Sequence, residues 1–389
     1  MFERNLKSHL QKMATMFPVL TVTGPRQSGK TTLVKAAFPK HAYVNLENLD
    51  DRAAADEDPR TFLTRFDKQP GVIIDEAQKI PHLFSYLQQI VDESQQMGRF
   101  ILTGSQNFLL LESITQSLAG RVSVNHLFPF SLSELTLDLT ANKSLDEVLF
   151  SGLFPAIYDR KIPAEHYYPS YLQTYIERDV RSLKNIGDLN LFRRFLQLCA
   201  GRVGQLINFS SLGNEAGIDS KTAQSWLSIL EASFIIFRLS PYHKNFNKRI
   251  VKQSKLYFCD TGLMCSLLGL DKTEFVADFY LRGNLFENFV VAEYRKICTH
   301  LGKAKQINFW RDNTGNEVDL LIEVGTELHA VEIKSGATVN ESFFTGLKKF
   351  RNISGLGREN CWVVYGGDTC LQRNNANLIS WRDIEALPR

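Results

Sequence analysis

The sequence has little cysteine, and none of it is arranged as a C-x-x-C pair. The six cysteines are scattered along 389 residues, so the spacing of a zinc site is missing and a disulfide framework is not predicted. The first residues lack the apolar core of a signal peptide, and no long uncharged apolar run follows. We therefore expect a soluble, cytoplasmic protein with reduced thiols and no membrane contact.

Excess charge of one sign is also small. The formal net charge is +3 and the pI is near 8.4, so a nucleic-acid partner is not required and any polyanion site must come from local clustering. Hydrophobic residues make up 44% of the chain, which excludes intrinsic disorder as the main state. The length allows two or three domains with separate cores.

The order of apolar segments predicts an α/β fold class. Residues 18–135 alternate short apolar strands with helical stretches, which is typical of a parallel sheet covered by helices on both faces. Residues 165–240 are mostly helical in pattern, and the C-terminal part begins with a helix that leads into several strands. The predicted domains comprise residues 1–164, 165–274 and 275–389.

The segment GPRQSGKT, residues 24–31, matches the phosphate-binding pattern G-x-x-x-x-G-K-[ST] between a predicted strand and a predicted helix. Its glycines let backbone N–H groups face phosphate at a helix N-terminus. Lys30 is expected to reach the β- and γ-phosphates of ATP, and Thr31 to coordinate Mg²⁺. The predicted nucleotide-binding residues are Gly24, Pro25, Arg26, Gln27, Ser28, Gly29, Lys30, Thr31 and Thr32. The alternative is a glycine-rich turn without a ligand.

An acidic pair ends the third predicted strand, GVIIDEA. Asp75 is expected to hold Mg²⁺ or a water of its shell, and Glu76 to polarise the water that attacks the γ-phosphate. The strand HAYVNLE lies between the two motif strands in sequence. Together with Glu76 it suggests the subclass of ATPases that inserts a strand between them. An acidic strand end without a catalytic role is the alternative.

Two further polar positions come after the fourth predicted strand, RFILTGS. Ser105 or Gln106 is expected to sense the γ-phosphate, or else to cap the following helix. Arg121 ends a predicted helix in the segment SLAGR. It is expected to act as an arginine finger across a subunit interface, which implies a homo-oligomer, or else to be a basic residue favoured by the helix dipole.

The segment FSSLGNEAGIDSKTAQSW, residues 209–226, has the pattern of a winged helix-turn-helix. The expected caps and turn are Ser210 or Ser211, Gly217, and Asp219 or Ser220. The second helix exposes its first residues as a recognition helix does, and residues 241–256 add a basic run without one acidic residue. The predicted DNA contacts are Lys221, Gln224, Lys244, Lys248, Arg249, Lys252 and Lys255. A solvated charged face and a protein-binding surface are the alternatives.

Charged residues occupy strand positions near the C-terminus, in NEVDLLIEV and ELHAVEIKS. Alternation puts Glu332 and Lys334 on one face, and Asp319 lies on the neighbouring strand. Asp319 and Glu332 are predicted to bind Mg²⁺ through carboxylate oxygens, with Lys334 positioning a hydrolytic water. Glu287, on an upstream helix, completes the predicted catalytic set. The alternatives are an inactive or merely binding site, and charges exposed on edge strands.

The motifs TGPRQSGKTTL, IIDEAQKIP and LAGR, with TYIERDV, FCDTGL and GNLFENFVVAEY, resemble the prokaryotic AAA-type ATPases. In that family a C-terminal half, long catalogued as a domain of unknown function, follows the AAA+ core. The resemblance covers nearly the whole chain. The charged C-terminal constellation resembles the PD-(D/E)xK nuclease fold, which includes Holliday-junction resolvases. The implied architecture is a P-loop AAA+ core, a helical winged-helix segment and a C-terminal α/β restriction-endonuclease-like domain.

Two functions follow from these resemblances. The first is an ATP-hydrolysing, Mg²⁺-dependent protein that binds and processes DNA by its structure, such as branched or Holliday-junction DNA, with a metal-dependent nuclease site. The second is a nucleotide-controlled signalling or scaffold ATPase whose C-terminal domains bind protein and cut nothing. Stimulation of ATP hydrolysis by one form of DNA separates them.

Overall fold

The computed structural model describes residues 2–94, 96–104, 117–135, 139, 142–175, 186–242, 251–303 and 307–389. The chain divides into two compact units. The first comprises Met1–Phe130, Ala232–Phe234 and Thr299–Gly302, and the second comprises Ser131–Glu231, Ile235–Cys298 and Lys303–Arg389. The domain boundaries expected from the sequence, after residues 164 and 274, stay predictions.

The first unit is built on a parallel sheet. Its strands are β1 (Val19–Thr23), β2 (Ala42–Asn45), β3 (Val72–Asp75), β4 (Phe100–Gly104) and β5 (Val122–His126). They lie in the order β2-β3-β4-β1-β5, and every neighbouring pair is parallel. β4 therefore lies between the strand that precedes the phosphate-binding motif and the strand that ends in the acidic pair, as the sequence predicts for the subclass with an inserted strand.

Helices cover both faces of this sheet. They are α1 (Leu6–Met13), α2 (Lys30–Ala37), α3 (Leu49–Glu57), α4 (Pro59–Thr64) and α5 (Leu83–Ser94). Successive strand residues point to opposite faces, so Leu20 and Ile73 pack with α1 and α2, whereas Val72 and Phe100 pack with α3, α4 and α5. Because both of its faces are covered, the sheet buries every residue of its three central strands, β1, β3 and β4. The predicted parallel-sheet core is confirmed.

The second unit contains most of the remaining helices. Those that follow residue 131 along the chain are α6 (Leu145–Ser151), α7 (Pro155–Asp159), α8 (Ala164–Tyr171), α9 (Leu189–Ala200), α10 (Phe209–Ala216), α11 (Ser220–Ala232), α12 (Thr261–Leu267), α13 (Glu274–Ala277), α14 (Arg282–His300) and α15 (Thr345–Ser354). Over the described ranges, no helix of the chain is both long enough and apolar enough to cross a membrane.

Helices α10 and α11 form the predicted helix-turn-helix. Gly217 makes the turn with φ 82°, a left-handed conformation that favours glycine. Asp219 caps α11 by accepting two backbone N–H groups, as the sequence predicts. The cap of α10 is Asn208, whose Oδ1 accepts the Ser211 N–H at 3.0 Å. The prediction that Ser210 or Ser211 caps this helix is wrong, because both residues lie inside it.

A mixed sheet follows the helix-turn-helix. Its strands are β6 (Ile236–Pro241), β7 (Lys255–Phe258), β8 (Ile307–Arg311), β9 (Glu317–Val324), β10 (Glu327–Lys334), β11 (Cys361–Tyr365), β12 (Leu371–Gln372) and β13 (Asn377–Ser380). The order is β12-β13-β11-β10-β9-β8-β6-β7. This sheet, the helix-turn-helix and the parallel core confirm the predicted α/β fold class.

The hairpin β6–β7 connects the winged helix to the C-terminal strands. β6 pairs antiparallel with β7 through residues 236–239 and parallel with β8 through Ser240 and Pro241. The hairpin is therefore the wing of the winged helix and also the end of the C-terminal sheet. A residue on β7 belongs to the same sheet as the charged strands β9 and β10.

Candidate functional site

The phosphate-binding motif forms a tight loop between β1 and α2. Residues 24–29 make the turn, and Lys30, Thr31 and Thr32 begin the helix. Gly24 and Gly29 have φ values of 150° and 91°. A Cβ atom on Gly24 would lie 2.1 Å from the Leu127 carbonyl oxygen, so only glycine fits there. The loop therefore brings its backbone N–H groups to the N-terminus of α2, where phosphate is favoured.

Lys30 lies inside this loop. Its ammonium donates to the carbonyl oxygens of Gly24 at 3.0 Å and Pro25 at 2.8 Å. Burial lowers the pKa of Lys30 to about 8, although the Glu76 and Asp75 carboxylates act in the opposite direction. An anion beside this ammonium would favour its charged form, so the residue is suited to binding phosphate.

Asp75 is held by donors from three elements. Thr31, on α2, donates its hydroxyl to Oδ2 at 2.8 Å. The Tyr43 hydroxyl, from β2, donates to the same oxygen at 2.9 Å, and the Thr103 hydroxyl, from β4, donates to Oδ1. Burial and the Asp75 charge raise the pKa of Tyr43, so it remains a donor. The Thr31 and Asp75 oxygens are hard ligands of the kind that Mg²⁺ prefers.

The next residue, Glu76, has an uncommon backbone conformation. Its φ is 55°, in the left-handed region, which costs free energy for a residue other than glycine and is found often at active sites. Its carboxylate accepts a hydrogen bond from the Gln78 side-chain amide. The two residues of the predicted acidic pair thus differ: Asp75 accepts from the hydroxyl of the phosphate-binding helix, whereas Glu76 accepts from Gln78 and lies close enough to Lys30 to raise its pKa.

Arg4 supports the loop from the N-terminal segment. It is buried, and its guanidinium donates to the carbonyl oxygens of Ser28 at 2.8 Å and Phe128 at 2.7 Å. It therefore ties the phosphate loop to the segment after β5. The sequence analysis missed Arg4, Tyr43 and Thr103, because their roles depend on contacts between residues far apart in the chain.

Arg121 lies near the opposite end of the parallel strands from the phosphate loop. Its backbone carbonyl accepts a hydrogen bond from the N–H of Val19, the first residue of β1. The phosphate loop follows Thr23, the last residue of β1. The guanidinium forms a two-point ion pair with Asp92, at 2.5 and 2.9 Å. Across the length of β1, about 13 Å at 3.3 Å per residue, Arg121 is separated from the loop of its own chain. The sensor candidates Ser105 and Gln106 lie outside the described residues.

The C-terminal strands form a second charged site. Val331 pairs with Leu320 in the antiparallel register of β9 and β10, so the next pair is Asp319 and Glu332, with both side chains on one face. Lys334 lies on that face, with Nζ 2.5 Å from Glu332 Oε2 and 3.8 Å from Asp319 Oδ2. The structure therefore brings together the predicted residues Asp319, Glu332 and Lys334.

Glu287, from α14, joins this site together with a residue that the sequence analysis missed. The missed residue is Glu317, at the start of β9. Carboxylate oxygens of Glu287, Glu317 and Asp319 all lie within 4.8 Å of one another, a spacing suited to one cation held by hard oxygen ligands. We refer to these three residues with Glu332 and Lys334 as the acidic centre.

Burial shapes the charges of the acidic centre. It raises the pKa of Glu332 to about 8, reinforced by Asp319 and opposed by Lys334. It also raises the pKa of Glu287, against the attraction of Lys255. Space for Glu332 comes from Gly346 on α15, because a Cβ atom there would lie 2.0 Å from Glu332 Oε1. The charged residues Asp319 and Glu332 on β9 and β10 are therefore buried, and the alternative of charges exposed on edge strands does not apply to them.

Lys255 is not a surface residue, so its prediction as a DNA contact is corrected. It lies at the start of β7, its side chain is 1% exposed, and its Nζ contacts Glu287 Oε1 at 2.8 Å and a Glu317 oxygen. The Tyr257 hydroxyl donates to the same Glu287 oxygen at 2.6 Å. Burial lowers the pKa of Lys255, but Glu287, Tyr257 and Glu317 outweigh it and raise the pKa overall. The basic run in the sequence could not reveal this burial.

Family models match the chain in three consecutive segments. An AAA domain matches residues 16–136, the Domain of unknown function (DUF8612) matches residues 142–274, and the Domain of unknown function (DUF4143) matches residues 282–384. The uncharacterized protein Rv2008c of Mycobacterium tuberculosis is 30% identical over 341 residues, which cover 86% of this chain and 74% of that protein. The chain belongs to the prokaryotic AAA-type ATPase family.

Two further similarities are weaker. An uncharacterized protein of Haemophilus influenzae is 22% identical over 79% of this chain and 82% of its own length. The Walker-type ATPase PABY2304 of Pyrococcus abyssi aligns with 14% identity and a TM-score of 0.44, over 69% of this chain and 96% of that one. The last similarity is too low to carry an inference.

The predicted DNA contacts of this AAA-type ATPase are only partly described. Lys221 and Gln224, on the first turns of α11, are exposed, and so is Lys252, before β7. The hydroxyl of Thr222 is turned to its own helix cap, Asp219. Lys244, Lys248 and Arg249 lie outside the described residues. Of the predicted contacts, Lys221, Gln224 and Lys252 are thus exposed in the described part of the chain, and their contact with DNA stays a prediction.

Proposed function

We propose that this AAA-type ATPase hydrolyses ATP with Mg²⁺ and uses the cycle to process DNA recognised by its structure, such as a branched junction. One observation carries the DNA part of the proposal: the wing β6–β7 and the charged strands β9 and β10 belong to one sheet. DNA held by the winged helix would thus lie against the body that carries the acidic centre.

We propose a role for each residue of the nucleotide site. Residues 24–32 bind the phosphates through backbone N–H groups, with Lys30 contributing charge. Thr31 and Asp75 would hold Mg²⁺, which neutralises phosphate charge when bound. Glu76 orients and polarises the attacking water. Ser105 is proposed from the sequence as the group that senses the γ-phosphate.

Tyr43 offers a test of how Asp75 is positioned. Tyr43→Phe removes only the hydroxyl that donates to Asp75 Oδ2 and keeps the ring, whose centroid lies 3.3 Å from Lys35 Nζ. We expect the Mg²⁺ concentration for half-maximal ATP hydrolysis to rise about threefold to tenfold, because a hydrogen bond to a charged group is lost at a partly exposed position. Tyr86→Phe, on α5, is the matched control. An unchanged Mg²⁺ dependence would exclude Tyr43 from this role.

Arg121 is proposed to complete the nucleotide site of a neighbouring subunit. It lies at the opposite end of β1 from its own phosphate loop, and Asp92 fixes its guanidinium. Arg121→Ala should abolish most hydrolysis in the assembled protein, and mixing it with Glu76→Gln subunits should restore part of the activity at composite sites, provided that subunits exchange. Arg99→Ala, which removes another paired arginine, is the control. If Arg121→Ala hydrolyses ATP normally, the finger assignment fails.

DNA contact is proposed for the exposed lysines of the winged helix. Lys221→Ala with Lys252→Ala should weaken binding of all DNA sequences and lower the slope of log affinity against log salt by about 2, because two phosphate contacts are lost. Lys40→Ala with Lys272→Ala removes two exposed lysines elsewhere. If the two double variants have equal salt slopes, the DNA-binding surface does not lie on the winged helix.

The experiment that tests the proposed function is the ATPase rate of the full chain with duplex, single-stranded, forked and four-way DNA of equal nucleotide content. Stimulation that is strongest with the forked or four-way form supports DNA processing by structure. A rate that no DNA changes would overturn it, provided that the basal rate itself is measurable and depends on Lys30.

A second function is favoured by the ion pairs of the acidic centre. Glu332 already has Lys334 as a partner, and Glu287 and Glu317 have Lys255. Carboxylates neutralised by internal cations are typical of a structural or binding site as well as of a catalytic one. In this alternative, the protein is a nucleotide-controlled scaffold whose C-terminal domains bind protein and cut nothing. ATP hydrolysis indifferent to every form of DNA favours this alternative.

A further inference from the structure

Lys255 places a positive charge among the carboxylates of the acidic centre. It comes from the wing, whereas its partners come from α14 and β9. Its Nζ contacts Glu287 at 2.8 Å and also contacts Glu317, and it lies 5.5 Å from the Phe309 ring centroid. A buried ammonium is retained only where its charge is compensated, and here two carboxylates compensate it.

The partners of Lys255 are also members of the cation-sized cluster. Two of the three carboxylates whose oxygens lie within 4.8 Å of one another are Glu287 and Glu317, the residues that Lys255 contacts. A divalent ion held by this cluster would therefore lie within a few ångströms of the ammonium. Like charges at such distances repel strongly in a buried site. The ammonium and the ion compete for the same oxygens.

We propose that Lys255 is the built-in cation of the acidic centre, which holds Glu287 and Glu317 in the place of a divalent metal ion. Tight metal binding and the seating of Lys255 then exclude one another. The inference rests on the proposed function in one respect, since it treats the acidic centre as a site with metal-ligand geometry. It adds a regulatory property: the wing determines whether the carboxylates are available to a metal ion.

The test is Mn²⁺ binding to the full chain, stripped with a chelator and measured by calorimetry without nucleotide. Lys255→Met should bind Mn²⁺ at least tenfold more tightly than the natural sequence, because the competing charge is gone while the carboxylates remain. Lys255→Met with Glu287→Gln should lose this gain, since it removes a ligand. Lys334→Met removes a charge that lies closest to Glu332, outside the cluster, and reaches one cluster member, Asp319, only at 3.8 Å, so its gain should be smaller.

Thermal unfolding of the full chain gives an independent measurement. Removal of Lys255 takes the cation from the half-buried Glu287 and leaves Glu317 paired with Arg311, so it should lower the melting temperature. Mn²⁺ should restore the melting temperature in Lys255→Met but leave that of the natural sequence unchanged. A variant that folds only with Mn²⁺ also supports the inference. Three results would overturn the inference. They are a Lys255→Met protein that stays unfolded with Mn²⁺, equal Mn²⁺ affinity with and without Lys255, and an equal gain in affinity from Lys334→Met.

These outcomes are separable from those of the proposed function. Mn²⁺ binding gained by Lys255→Met supports the built-in cation even if the protein cuts no DNA and its ATPase ignores DNA. Conversely, DNA-stimulated ATP hydrolysis, together with Mn²⁺ binding that Lys255→Met leaves unchanged, supports the proposed function and overturns the inference about Lys255.

Discussion

Glu76→Gln should bind ATP as tightly as the natural sequence and hydrolyse it at least about 100-fold more slowly, the usual contribution of a general base. Glutamine keeps the size of the side chain and its ability to accept the Gln78 amide hydrogen bond, but it cannot polarise the attacking water. Binding is preserved because the phosphate loop, Lys30 and Asp75 are untouched. Nucleotide affinity by fluorescence titration and phosphate release measured on the same preparation check the two halves of the expectation.

Lys30→Ala provides the contrasting result. Its ammonium lies inside the phosphate loop, bonded to the carbonyls of Gly24 and Pro25, so its removal should abolish detectable nucleotide binding as well as turnover. Glu47→Gln, at an exposed acid paired with Lys79, is the control and should change neither. Normal turnover in Glu76→Gln would remove Glu76 from the catalytic role and leave Asp75 as the acidic residue of the site.

The nucleotide site could be located from the sequence because its elements are contiguous. Eight consecutive residues contain the phosphate motif, and the acidic pair follows an apolar strand directly. The residues that hold this site in place have no such local signal. Tyr43 and Thr103 reach Asp75 only because β2 and β4 lie on either side of β3, and strand order is set by tertiary packing.

The acidic centre was predicted less completely for a related reason. Alternation along β9 and β10 correctly places Asp319, Glu332 and Lys334 on one face. Glu317 lies two residues before Asp319 and shares that face, so the same alternation could have found it. Lys255 could not be found in this way. It ends a basic run, and only the pairing of β6 with β8 brings β7 into the sheet and buries its first residue.

Helix capping gives a smaller example. Ser210 and Ser211 are good capping residues by type, but α10 begins two or three residues earlier than expected, and Asn208 supplies the cap. Helix ends are the least certain feature of a sequence pattern, because several neighbouring polar residues can satisfy the same N–H groups. The turn at Gly217 was predictable, since a left-handed turn residue between two helices favours glycine.

Asp319→Ala should abolish any cleavage of branched DNA and leave ATP hydrolysis unchanged. Phosphodiester hydrolysis needs a cation that stabilises charge on the phosphate and a positioned water. Asp319 contacts both the carboxylate cluster and the lysine of the acidic centre. One of its oxygens belongs to the cluster with Glu287 and Glu317, and Lys334 Nζ lies 3.8 Å from its Oδ2. Loss of this side chain removes one of the proposed metal ligands and changes no residue of the first unit, so the nucleotide site keeps its residues.

The measurement is incubation of the full chain with end-labelled four-way, forked and linear DNA, with Mg²⁺ or Mn²⁺, and with or without ATP. Because the Asp319 carboxylate also accepts the Ile333 N–H at 2.8 Å, Asp319→Ala could disturb the strand pairing. Asp319→Asn keeps an acceptor there and should lose cleavage equally. Glu341→Gln, at an exposed acid paired with Lys348, should cut as the natural sequence does. Two results would rule out a nuclease at this centre: cleavage that persists in both Asp319 variants, or no cleavage with any combination of DNA and metal ion. The acidic centre would then belong to a binding fold.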